Sequence, residues 1–481
     1  MHLSLLTDYY QLSMMGGYLK SGKLHQDSVF DLFFRKIPDQ GGFCVAAGLQ
    51  AAIDYIRGLS FADSDIDYLR SLRIFDDAFL KYLRDFCFTG DVMGIEEGTL
   101  VFPGEPLLRV TAPLPQAQML ETTLLNLVNF ETLIATKAAR ICEAAKGGTV
   151  LEFGLRRAQG PDGGLRASRA AFIGGCAATS NVLAGKEFGI PVRGTHAHAW
   201  IMSFSSELAA FRAYAEAYPD GCTLLVDTYD TLESGVPTAI LVGKEMEARG
   251  QRLKGVRLDS GDLAYLSKET RRMLDEAGLN YVQIVASSDL DEWLIHDLRN
   301  QGARIDTYGV GTRLVTSYRT PALGGVYKLV AATDDSGRMT PRIKVSSNAE
   351  KMTNPGIKQV WRLYNDDNLM LGDVIALQDE HFAPGQRIRT RHPSQYYERK
   401  SFTRVARVEP LLTPIFQGGQ LVYQSPPLPE IQRRARAALG TLRSEHKRFY
   451  NADIYWVGLS ERLFDLRERL IEDTLGEHVT R

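Results

Sequence analysis

Four clusters of polar and glycine residues stand where apolar runs of this sequence end. In GTHAHA, Thr195, His196 and His198 close the run PVRGT. Histidine there can serve as acid, base, nucleophile or metal ligand. On a regular strand, residues two apart share a face, so the residues alone do not separate His196 from His198. In GVRLDSGDL, Arg257, Asp259 and Asp262 bracket a Ser-Gly turn. Paired carboxylates in a turn can hold Mg²⁺, often with substrate phosphates completing the shell; Asp262 can equally cap the helix that follows. In EFGLRRAQGPDGG, Arg156 and Arg157 precede a glycine-rich loop, and arginine suits planar recognition of carboxylate or phosphate. The bland alternative is a surface arginine pair. The fourth cluster is a pair of loops, ASSDLDE (286–292) and YGVGTRL (308–314). Ser287, Ser288, Asp289, Gly309, Gly311 and Thr312 there are candidates for a phosphate cradle, because small residues at a helix start let backbone N–H groups approach an anion.

These clusters need a scaffold that brings strand ends together. Short apolar runs at 149–153, 191–195, 223–227, 253–259, 281–287 and 305–311 alternate with helical patterns. That rhythm predicts parallel strands with crossover helices in an irregular α/β barrel-like catalytic domain, its site on the C-terminal strand ends. Earlier, VFDLFFRKI and GTLVFPGEPLLRVTA read as strands, and 119–145 reads as one long helix. After residue 330, TPRIKVSSNAEK and GIKQVWRLYNDDNLMLGDVIAL read as hairpins, and the tail from 426 as a basic helix with a solvated face. The expected organisation is therefore 1–125, an N-terminal α/β sandwich domain; 126–330, the catalytic domain; 331–425, a β-rich segment returning to the N-terminal domain; and 426–481, a helical tail. The overall class is α/β.

A net charge of −2 gives no global field for nucleic acid or an anionic membrane, so neither is an expected partner. With 44% hydrophobic residues the chain has the composition of a folded globular protein. Its five cysteines are scattered, with no C-x-x-C pair. Together with the lack of a signal-like start or a run of about 18–20 apolar residues, that pattern suggests a cytoplasmic protein with reduced thiols.

Taken in order, EFGLRRAQGPDGG, ATSNVLAG, GTHAH, LLVDTYDTL, GVRLDSGDL, GVGT and GGVYKLV resemble the nicotinate phosphoribosyltransferase family. TDYYQLSMM near the start, KVSSNAEK and VGLSERLFDLRERL extend the resemblance over nearly the whole chain. It implies a barrel-like catalytic domain and an N-terminal sandwich completed by C-terminal segments, in a homodimer with shared active sites. The implied reaction joins nicotinate to phosphoribosyl pyrophosphate, releasing pyrophosphate, with Mg²⁺ and with ATP as a coupled co-substrate. The GTxxH motif then makes His198 the phosphorylated histidine and gives Thr195 a contact to nicotinate; the TDxYQ motif gives Tyr10 and the RLDSGD motif Arg257 the same contact, and GVGT gives Thr312 a contact to phosphate. Asp259 and Asp262 become the metal-side carboxylates, and Arg156 and Arg157 substrate-binding arginines. Tyr9 and His196 inherit no role.

Nicotinamide and quinolinate are the alternative acceptors. His196-Ala-His198 also reads as the HxH pair of a metal-dependent hydrolase, which needs further histidines on later strands. Of those downstream, His296 lies in a helical pattern, and His381, His392, His446 and His478 lie beyond the barrel stretch. A non-catalytic binding protein would keep these polar clusters without chemical purpose.

Overall fold

The computed structural model describes residues 3–346 and 352–479, and the chain divides into two compact units. One comprises Met1–Leu133 and Ala322–Arg481, the other Ile134–Pro321. Residues 347–351 of the KVSSNAEK motif, and the side chain of His478, lie outside the described residues.

The first unit is built on antiparallel pairing. Strand Asp27–Phe34 lies between Leu108–Pro113 and Gly325–Thr333, and the same sheet continues through Asp91–Ile95 to Leu412–Gln417. N-terminal and C-terminal segments thus complete one sheet, as the resemblance implies. The hairpin expected after residue 356 is present: Lys358–Tyr364 pairs antiparallel with Met370–Leu377. Among the described residues, TPRIKVSSNAEK contributes only to the short strand Met339–Pro341. The tail departs from a simple solvated helix. Helix Leu428–Thr441 buries Ile431, Ala435 and Leu439, and Val457–Ser460 enters a sheet beside Met370–Leu377 before helix Glu461–Val479 begins. Apolar residues on one helix face bury in preference to staying wet, and the basic composition of that stretch hid this face.

The second unit carries a parallel six-stranded sheet in the order Ala178–Thr179, Thr149–Glu152, Thr307–Val310, Gln283–Ala286, Gly255–Leu258, Thr223–Leu225. Its inner strands are almost wholly buried, as parallel strands covered on both faces should be. The order is that of a barrel opened between Ala178–Thr179 and Thr223–Leu225, a half-barrel. The expected strand at 191–195 would have stood in that opening. It does not form: Val192 makes a single bridge to Thr179, the chain continues as a loop, and His198 starts the short helix His198–Met202. Proline has no N–H to donate to a ladder, and Pro191 contributes only its carbonyl, to Thr179. The long helix expected over 119–145 is present as Glu121–Ala145, preceded by the short helix Leu114–Met119.

Helices follow the strands with side-chain caps. Asp262 caps Leu263–Glu276, Asp291 caps Glu292–Asn300 and Asn181 caps Val182–Phe188. Behind the end of Thr223–Leu225 the backbone comes close: a Cβ on Gly235 would lie 1.8 Å from the Val226 carbonyl oxygen. Only glycine fits there, which seats the chain immediately before Asp227.

Candidate active site

Arg257 is the hub of the strand-end face in the second unit. It lies in strand Gly255–Leu258, and its side chain is 15% exposed. Its Nε donates to Ser287 Oγ at 2.7 Å, Nη1 to Thr195 Oγ1 at 2.9 Å and Nη2 to Asp259 Oδ1 at 2.6 Å. Ser287 also donates to Asp259 Oδ1. Three separate loops are therefore tied by one guanidinium, with an N–H left over on each terminal nitrogen. Burial pushes the Asp259 carboxyl up, but hydrogen bonds from Ser287 and Arg257 and the nearby positive charge outweigh it and hold the group below the usual range. Asp259 stays ionised.

The neighbouring strand adds Asp227 and Thr228, to which the sequence reading assigned no role. Leu225 is in register with Arg257, so Asp227 and Asp259, each two residues further on, end their strands at the same level. Asp227 Oδ2 accepts from the Asp259 N–H at 2.9 Å and from Ser260 Oγ at 2.6 Å, while its buried Oδ1 has no hydrogen-bond partner. The signal was present in the sequence: TLLVD ends in aspartate just as GVRLD does.

The two histidines part company. His198 is 41% exposed, with Nδ1 3.1 Å from Thr228 Oγ1 and Nε2 3.9 Å from Asp259 Oδ2. His196 is buried; its Nε2 accepts the Leu225 N–H at 3.3 Å, and its ring meets Tyr214 edge-on. The shared strand face expected for the pair is corrected, because the strand that would have imposed it is a loop.

Burial lowers the His196 pKa to about 4, so the neutral ring is the folded form. A histidine depressed in this way contributes stability above its unfolded pKa of about 6.5. That contribution is lost as pH falls from there toward the folded value. His196 should therefore remove roughly 2–3 kcal/mol of stability between about pH 6.5 and pH 4. Urea unfolding of wild type and His196→Gln across that range checks this, with the variant showing the flatter pH dependence.

The remaining candidates spread around this centre. Arg156 and Arg157 occupy an exposed turn, Leu155–Arg157, pinned from behind by buried Glu152. That carboxylate accepts from the Gly154 N–H, from Ser168 Oγ at 2.9 Å and from Thr179 Oγ1 at 2.5 Å. Ser287 is buried and spent on Arg257 and Asp259, so it braces the arginine instead of lining an open cradle. Ser288 and Asp289 are exposed. Gly309 is interior to Thr307–Val310, where a Cβ would meet the Phe153 ring at 2.6 Å. Its smallness serves strand packing. Gly311 and Thr312 stand at the start of the short helix Thr312–Val315. Tyr10 belongs to the first unit, exposed on helix Tyr9–Lys20.

Among the described residues no three His, Cys, Asp or Glu side chains converge as a metal cage. Mg²⁺ does not require one, since it keeps several waters and leans on one or two carboxylates plus phosphate oxygens. Asp262 is a poor fit: it is exposed, and its Oδ1 caps a helix through the Tyr265 N–H. The unpartnered buried oxygen of Asp227 is the better one. The HxH hydrolase reading has no geometry behind it, since the two histidines face different surroundings. No helix of the described residues is long and apolar enough to cross a membrane.

Comparisons with known proteins agree with one another. Models described as the nicotinate phosphoribosyltransferase N-terminal domain, family and C-terminal domain match residues 5–129, 149–333 and 357–467. The chain is 48% identical to nicotinate phosphoribosyltransferase of Bacillus subtilis, over 98% of this chain and 97% of that one. It is 38% identical to the Homo sapiens protein of that name, with 95% of each covered. A crystal structure of human nicotinic acid phosphoribosyltransferase superposes with a TM-score of 0.84 at 36% identity, covering 97% of this chain and all of the other. The chain belongs to the nicotinate phosphoribosyltransferase family.

Proposed function

We propose that the strand-end face around Arg257 carries out nicotinate phosphoribosyl transfer for NAD biosynthesis, joining nicotinate to phosphoribosyl pyrophosphate and releasing pyrophosphate. The observation that carries this reading is the Arg257 hub. A guanidinium held by Thr195, Asp259 and Ser287 cannot swing away, and its remaining N–H groups suit a planar carboxylate. The pyridine nitrogen of nicotinate is itself the nucleophile, so no strong base is needed. Catalysis then rests on positioning and on stabilising charge. As the anomeric C–O bond breaks, positive charge grows on the ribose and negative charge on pyrophosphate. Asp259 is kept ionised by Ser287 and Arg257.

Asp227 and Asp259 are the residues that would hold Mg²⁺, directly or through water. Bound there, the ion neutralises charge on the leaving pyrophosphate. Thr312, Gly311 and the exposed Ser288–Asp289 turn would meet the phosphates, and Arg156 and Arg157 reach substrate from their pinned turn. ATP acts as the coupled co-substrate: its terminal phosphoryl group moves to a ring nitrogen of His198, leaving ADP. His198 is exposed enough for that transfer, whereas His196 is not. The homodimer with shared sites belongs to the same reading, with exposed Tyr10 offered to nicotinate in the partner's site.

Incubating the protein with phosphoribosyl pyrophosphate, Mg²⁺ and each of nicotinate, nicotinamide and quinolinate tests the assignment. Nicotinate mononucleotide should form with kcat/KM at least about a hundredfold above nicotinamide, because the amide cannot accept from both of the N–H groups that Arg257 keeps free. Comparable use of the two acceptors would sink the carboxylate assignment.

A further inference from the structure

The two loops at 286–292 and 308–314 follow adjacent strands, with Val285 and Ala286 in register with Thr307 and Tyr308. Asp291 spans the gap between them. It is 1% exposed, and both its oxygens are committed. Oδ1 accepts the Leu294 N–H at 2.9 Å, capping helix Glu292–Asn300. Oδ2 accepts from Arg313 Nη1 at 2.7 Å. Burial pushes this carboxyl up, but the Leu294 N–H and the Arg313 guanidinium outweigh it, and the group stays ionised. A second cation, Arg319, stands 4.0 Å away, with its guanidinium over the Trp293 ring.

Arg313 directly follows Thr312 and is one-third exposed. With one terminal nitrogen spent on Asp291, it keeps N–H groups to present outward. The first loop needs such a hold. Ser288 sits at φ 112, a conformation that costs a residue with a Cβ of the order of 1–3 kcal/mol and persists only when its surroundings fix it.

We infer that the Asp291–Arg313 ion pair is a positioning device of the transfer site: it sets the spacing of the two loops and holds Arg313 at the mouth of the phosphate cradle. This rests on the reading of those loops as the phosphoribosyl pyrophosphate cradle. One carboxylate thus does two separable jobs, capping a helix and clamping a loop. Asparagine caps a helix about as well as aspartate but carries no charge for Arg313, so Asp291→Asn isolates the clamp.

The experiment measures kcat and both KM values, with Tm, for Asp291→Asn, Arg313→Met, their double variant, Arg313→Lys and Thr312→Val. Asp291→Asn and Arg313→Met should each raise KM for phosphoribosyl pyrophosphate about tenfold, with KM for nicotinate and Tm little changed. The double variant should be no worse than the poorer single one, and Arg313→Lys should recover part of the loss. Additive effects, an equal rise in both KM values, or a silent Asp291→Asn overturns the clamp. Should Asp291→Asn fail to fold, Arg313→Met, altered at a partly exposed position, decides by the same KM comparison. Thr312→Val separates the layers. If it leaves KM for phosphoribosyl pyrophosphate unchanged, the cradle reading itself fails; if it raises that KM while the clamp variants are silent, only the clamp does.

Discussion

Arg257→Ala is expected to lower kcat/KM for nicotinate about a thousandfold, a loss of ~4 kcal/mol in transition-state stabilisation. The size follows from what the side chain holds. Its removal strips donors from Ser287, Thr195 and Asp259 together, and breaking a buried charge pair alone costs about 2–5 kcal/mol. Lysine should not rescue it, because a compact ammonium cannot serve three directions and a carboxylate at once. Nicotinamide, with no carboxylate to lose, should suffer much less. Steady-state kinetics on both acceptors decide the matter: an unchanged preference for nicotinate in the variant would detach Arg257 from acceptor recognition.

His198→Ala should eliminate a covalent phosphate that ATP places on the wild type. The label should be acid-labile and base-stable, as a phosphoramidate is, and should map to His198. ATP stimulation of the transfer should vanish with it, a drop of about tenfold or more, ~1.4 kcal/mol. A slower ATP-independent transfer should persist, since Arg257, Asp227, Asp259 and the two loops remain. The physical basis is local charge: a phosphoryl group adds nearly two negative charges beside Thr228 and within reach of the Asp259 side. His196→Ala should keep the label, because its ring is packed against Tyr214 and serves the Leu225 amide. A label on His196, or none on active protein, would overturn the ATP-linked step and leave the transferase assignment in place.

Much of the catalytic unit was legible because parallel strands advertise themselves as apolar runs ending in polar turns. The runs at 149–153, 223–227, 253–259, 281–287 and 305–311 all contain strands. Ala178–Thr179 was not legible, since two residues carry no periodicity. The run at 191–195 misled for a related reason: its composition is strand-like, but only a tertiary neighbour decides whether a ladder forms. The site residues followed the same division. Thr195, Arg257 and Asp259 could be named from motif position, but that one guanidinium bonds all three loops depends on register between strands. Asp227 and Asp291 were passed over because a single aspartate after an apolar run, or before a helix, looks like an ordinary turn or cap. At Gly309 the missing side chain is required by Phe153, a packing demand that the sequence alone does not show.

The opening in the half-barrel gives the protein slack at one chosen point. Between Pro191 and His198 the main chain makes ladder bonds through Pro191 and Arg193, both to Thr179; beyond them side chains hold the segment, Thr195 to Arg257 and His196 to the Leu225 amide. A phosphoryl group is far bulkier than the proton it replaces. In a closed barrel, making room for it beside a strand would break paired amides on both neighbours, at about 1 kcal/mol net for each bond lost. Here a shift of the segment would strain side-chain bonds, Thr195 to Arg257 and His196 to the Leu225 amide, and leave the ladders of the five longer strands intact. The amides of residues 194–198, outside any ladder, should exchange with deuterium well ahead of those in Gln283–Ala286 and Thr307–Val310, so the segment proposed to take the phosphoryl group is also the one the sheet ladder does not hold.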